Sequence, residues 1–107
     1  MAAPEVTPTQ RSLKHLRDEG YTATVVEYWH AFARQRRDLW GCFDILAVKR
    51  DETVAVQTTS TGVAARVRKI EACPHLSVLR EAGWTILVHG WRKGANGRYV
   101  LRVVDLS

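Results

Sequence analysis

Two runs of β-prone residues stand almost back to back in this chain, FDILAV over 43–48 and TVAVQTT over 53–59, with only Lys49 to Glu52 between them. So short a connection leaves no room for a crossover, so the two runs must pair as an antiparallel hairpin. A third run, YTATVVEYW over 21–29, is equally dense in β-branched and aromatic residues and reads as a strand preceding that hairpin. After it, Thr61 and Gly62 open a helix that runs through Ala72, with Val63, Val67 and Ile70 recurring at helical spacing. Pro74 stops this helix, and His75 to Ala82 supplies a further helical stretch before Gly83. WTILVHGW over 84–91 reads as a buried strand, and Asn96-Gly97 is a hairpin turn that returns Tyr99 to Val104 against it.

A first helix at about residues 9–19 precedes all of this, with an apolar stripe of Leu13 and Leu16, a cap at Thr7 or Thr9, and an end at Gly20. The element order is therefore α-β-β-β-α-(α)-β-β. A strand meander followed by a helical crossover implies a mixed sheet flanked by helices, an α/β (α+β) architecture. At 107 residues the chain is expected to be one domain over 1–107, with residues 1–8, broken by prolines at 4 and 8, as a flexible arm.

Apolar content of 46% and charged content of 25% exclude wholesale disorder. No apolar run approaches the ~20 residues that a membrane-spanning helix needs, and the start of the chain lacks a secretion-signal pattern, so no membrane association and a cytoplasmic location are expected. Cys42 and Cys73 show no zinc-type spacing and read as reduced thiols in or near the core. The net charge of +5 suits a polyanionic partner. Its distribution is more specific: Arg34, Arg36 and Arg37 cluster in one segment between Trp29 and Trp40, and Arg66, Arg68 and Lys69 lie on the second helix. Cations interleaved with aromatics suit phosphate contacts and base stacking, so these arginines are the candidate nucleic-acid-binding residues.

The hairpin carries the candidate chemistry. Asp44 begins one strand, and Gln57 and Thr59 lie two apart near the end of the other, so their side chains share a face. A carboxylate, an amide oxygen and a hydroxyl converging at one sheet edge offer oxygen ligands to a divalent cation. The order of elements, the Gly-x-x-Asp entry over Gly41–Asp44 and the polar-x-polar end at Gln57–Thr59 resemble the PD-(D/E)xK nuclease superfamily. Within it the likeness is to Holliday-junction-resolvase-like and other small phage or prophage nuclease domains, and it covers residues 9–93.

The resemblance implies a restriction-endonuclease-like αβββαβ core and a metal-dependent cut in DNA, possibly branched DNA, with Mg²⁺ or Mn²⁺ as cofactor and a homodimer as the assembly. Carried over by position, Asp44 matches the metal-binding aspartate, Gln57 stands at the second acidic position, and Thr59 stands where a lysine is usual. Glu27 is the candidate for the further acidic residue, with Glu19 in reserve. Lys69 or Arg66, on the following helix, would supply the missing cation. Three readings follow. One is a nuclease using Asp44, Gln57, Thr59, Lys69 and Glu27, with Asp44, Gln57 and Glu27 on the metal. The second is a catalytically inactive module of the same fold that binds nucleic acid or a protein. The third is an unrelated basic adaptor for an acidic protein. Structural roles are also open to these residues: Asp44 as a loop cap or arginine partner, Glu27 as an exposed strand residue, and His89 as a packed histidine.

Overall fold

The computed structural model describes residues 6–107, apart from the side chains of Trp29, His30 and Arg36. Residues 1–5 of the expected arm, and the expected contributions of the Trp29 and Arg36 side chains, lie outside the described residues. The first helix, α1 (Pro8–Asp18), starts where Thr7 accepts a hydrogen bond from the Gln10 N–H at 3.1 Å, and Gln10 in turn accepts from the Thr7 N–H. This reciprocal cap satisfies two otherwise unpaired helix-end donors and selects Thr7 over Thr9. Gly20, at φ +94°, turns the chain out of the helix in a conformation that costs glycine little.

The sheet strands are β1 (Thr22–Val25), β4 (Ile45–Lys49), β5 (Glu52–Thr59), β6 (Thr85–Lys93) and β7 (Tyr99–Asp105), in the spatial order β1-β4-β5-β6-β7. The expected hairpin forms in the register Ile45↔Val56 to Lys49↔Glu52. β5 and β6 are parallel, joined by a crossover through α2 (Val63–Glu71) and α3 (Leu76–Glu81), and every other neighbouring pair in this sheet is antiparallel. The chain is thus an α+β domain with a five-stranded mixed sheet flanked by helices, as its pattern implies.

One expected strand is divided. The run over 21–29 supplies β1 and then a separate strand, β2 (Tyr28–His30). β2 pairs antiparallel with β3 (Gln35–Arg37), so the arginine-rich segment is the returning half of a small hairpin. β1 pairs with β4 as far as Val25↔Ile45, and one further bond, from the Val26 N–H to the Asp44 carbonyl at 2.8 Å, precedes the break before β2.

The sheet buries apolar residues on both faces. Leu16 of α1 packs with Ala23, Ile45, Ala47, Val54 and Val56. The opposite face gathers Phe43, Ala55, Ile86 and Val88 beneath Ile70, Leu76 and Leu79 of α2 and α3, with the two thiols, both buried, among them. α2 lies so close to β6 that a Cβ at Gly90 would collide with Val63, so glycine is required there. α1 is tied to the sheet by a buried polar relay. The Trp91 Nε1–H donates to Ser12 Oγ at 2.8 Å, and the same hydroxyl shares a 2.9 Å hydrogen bond with His89 Nδ1. Burial, reinforced by the facing His15, pushes the His89 pKa down to about 4, so the ring stays neutral. With Ser12 and His89 both buried, this pair is a structural tie. No helix among the described residues is long and apolar enough to cross a membrane.

Candidate functional site

Asp44 stands immediately before β4, and one step beyond Ile45↔Val56 in the hairpin register it faces Gln57. The two side chains meet. Asp44 Oδ2 accepts from Gln57 Nε2 at 2.7 Å, from the Thr58 N–H at 2.9 Å and from the Thr58 hydroxyl at 2.9 Å. Thr58 also shares a 2.7 Å hydrogen bond with Thr9 Oγ1, which anchors the first turn of α1 to the same spot.

Asp44 is only 5% exposed. Burial pushes its pKa from 3.8 up to about 6; the Thr58 N–H and hydroxyl oppose the rise, while the negative charges of Asp38 and Glu27 add to it. Gln57 is equally enclosed, at 2% exposed, and its Oε1 has no hydrogen-bond partner, the one such buried side-chain atom among the described residues. A buried carbonyl oxygen without a donor is costly and calls for an explanation.

A carboxylate oxygen from each of Glu27, Asp38 and Asp44 lies within 4.8 Å of the others. The β2–β3 hairpin explains the first two. Its register begins at Tyr28↔Arg37, so Glu27 and Asp38 flank its base on opposite strands. Like charges placed across a strand pair repel, and an intervening cation relieves the repulsion. Lys69 of α2 provides part of that relief, its Nζ lying 2.8 Å from Asp38 Oδ2. Thus an ammonium does reach the cluster, from the following helix.

Glu27, Asp38, Asp44, Gln57 and Thr58 line an open cleft of about 320 Å³, together with Thr59, Ser60 and Arg66. Thr59 uses its hydroxyl to accept from the Gly62 N–H at 3.1 Å, at the entry to α2. Arg34 and Arg37 are exposed on the β2–β3 hairpin, Arg34 at φ +51° in its turn, while Arg68 is exposed on α2 away from the cleft lining. Glu19 ends α1, where it pairs with His15 at 3.0 Å and takes no part in the acidic cluster.

The geometry therefore brings together Asp44, Gln57, Glu27 and Lys69, with Thr59 and Arg66 at the cleft wall. It adds two residues that sequence reasoning missed, Asp38 as third carboxylate and Thr58 as the group that fixes Asp44. Asp38 had one signal, its place directly after the arginine run, but its meaning depends on a hairpin that the pattern did not disclose. The donor set is three carboxylates and an unpaired amide oxygen, all hard oxygen ligands, which fits Mg²⁺ or Mn²⁺. No family model matches the chain, and a search of curated proteins returns no match.

Proposed function

We propose that this chain is a divalent-metal-dependent nuclease of the PD-(D/E)xK kind, hydrolysing phosphodiester bonds in DNA. The observation that carries the reading is the stranded Gln57 Oε1 beside Asp44, in a cleft that also gathers Glu27 and Asp38. A buried amide oxygen without a donor, close to three clustered carboxylates, makes a set of hard oxygen donors suited to a divalent cation. In this reading Asp44, Glu27, Asp38 and Gln57 hold the ion, with Thr58 fixing Asp44 in place. Lys69, tethered to Asp38, supplies the positive charge that Thr59 lacks, and Arg66 meets the phosphate at the cleft wall. When bound, a divalent cation lowers the pKa of a coordinated water and offsets charge on the phosphate. Arg34 and Arg37, exposed on the β2–β3 hairpin, hold the strand by its phosphates, and a homodimer suits cutting of branched DNA.

The test is cleavage of plasmid, linear, single-stranded and branched DNA with Mg²⁺ or Mn²⁺. Asp44→Ala should abolish cutting while leaving DNA affinity largely intact. Absence of cutting by the unaltered protein in either metal would overturn the nuclease reading. A second reading, a non-catalytic nucleic-acid-binding module, is favoured by one observation: three internal donors already engage Asp44 Oδ2. It requires salt-dependent DNA binding with no cleavage and no effect of metal.

A further inference from the structure

Three cavities lie in series along α1. The acidic cleft shares Pro8 and Ser60 with a second cavity of about 290 Å³, which continues to Arg11, Trp91 and Tyr99. Those last three residues also line a third cavity of about 570 Å³, which opens toward Lys14 and Arg98. The track thus leads from clustered carboxylates at one end to cations and aromatic rings at the other.

The far end is preorganised. Trp91 is half-buried, its indole N–H fixed on Ser12 at 2.8 Å and its ring flanked by His15 at 6.1 Å between centroids. The Arg11 guanidinium sits 3.4 Å above the centre of the Tyr99 ring, which holds the long side chain in place without further loss of freedom. Arg11, Lys14 and Arg98 face a single acidic residue in the third cavity, Asp18, which pairs with Lys14 at 2.6 Å.

We infer that this track binds a single strand of nucleic acid, with bases against Trp91 and phosphates against Arg11, Lys14 and Arg98. Rigid aromatic surface alternating with cations is the chemistry that captures an unpaired strand, because every base presents a flat π-face and every linkage a negative charge. A duplex keeps its base faces inside the stack, and an acidic peptide has none to offer. The strand bound here would be the segment that leads to the cleft, and in that respect the inference rests on the nuclease reading.

The experiment measures the affinity of a labelled oligothymidylate for the full chain in EDTA, so that no cleavage intervenes. Lys14→Ala combined with Arg98→Glu alters two exposed positions, and circular dichroism verifies the fold of the variant. The double variant should bind about tenfold or more weakly and lower the salt slope by about 1.4, the value for two lost phosphate contacts on a single strand. Unchanged affinity or slope overturns the inference. Photocrosslinking with a 5-bromodeoxyuridine oligonucleotide should label the peptide carrying Trp91 or Tyr99; labelling confined to other peptides overturns it. So does displacement of the oligonucleotide by polyglutamate at equal charge, which would assign the track to acidic protein. Absence of cleavage by any form of the protein, with oligonucleotide binding still lost in the double variant, removes the nuclease reading and leaves this surface standing. Cleavage by the unaltered protein with unchanged binding by the double variant does the reverse.

Discussion

Asp44→Asn should make the metal-free protein more stable at neutral pH while removing its proposed activity. The rise of the Asp44 pKa from 3.8 to about 6 means that the folded state holds the ionised carboxylate at a disadvantage. At about 1.4 kcal/mol per pH unit, that disadvantage is about 3 kcal/mol above pH 6 and fades as the pH falls to 3.8. Asparagine removes the charge, keeps an acceptor for the Thr58 donors and offers a donor to the stranded Gln57 Oε1. A gain of about 3 kcal/mol corresponds to a melting temperature about 10–15 °C higher in a domain of this size. Thermal melts followed by circular dichroism in EDTA at about pH 7.5 and about pH 4 test this, since the difference between the two proteins should shrink toward zero at the lower pH. An asparagine variant less stable at neutral pH, or shifted equally at both, would refute the argument. Adding Mg²⁺ or Mn²⁺ should raise the melting temperature of the unaltered protein and leave that of the variant nearly unmoved.

Lys69→Met should lower cleavage by about two orders of magnitude while oligonucleotide affinity stays within about threefold, because the ammonium beside Asp38 is assigned to the reaction and not to strand capture. Rate and affinity measured on the same substrate separate the two, and an equal loss in both would remove that assignment. His89→Gln should become progressively more stable relative to the unaltered protein as the pH falls. The folded pKa of about 4 lies below the usual 6.5, so the unaltered protein loses up to about 3 kcal/mol over that interval while glutamine does not titrate. A stability difference that stays constant between about pH 7 and pH 4 would contradict the neutral, Ser12-bonded ring.

Much of the fold was legible because its signals are local. The four-residue gap between β-rich runs sets the β4–β5 pairing, and Asn96-Gly97 sets β6–β7, with Gly97 in the turn at φ +80°. Alternation along β5 also placed Gln57 correctly against Asp44, since pairing register follows once the hairpin is known. The acidic cluster was less legible. Glu27 could be named only through a resemblance, and Asp38 lay unremarked at the end of a run of arginines, because β2 and β3 have three residues each and β3 is polar throughout. The role of Thr58 was hidden for another reason. Alternation sends it toward α1, where it does meet Thr9, yet at the end of the strand its hydroxyl also reaches the Asp44 carboxylate.

The placement of Glu27 and Asp38 at the foot of the β2–β3 hairpin has a mechanical corollary. The arm that displays Arg34 and Arg37 and the pair of acids beneath it form one lever. The base of that arm is tied to the rest of the site, through the Val26 N–H to the Asp44 carbonyl at 2.8 Å and through Lys69 to Asp38 at 2.8 Å. In the proposed function, grip on a polyanion at the tip and fit at the acidic end would therefore be coupled through a single short ribbon.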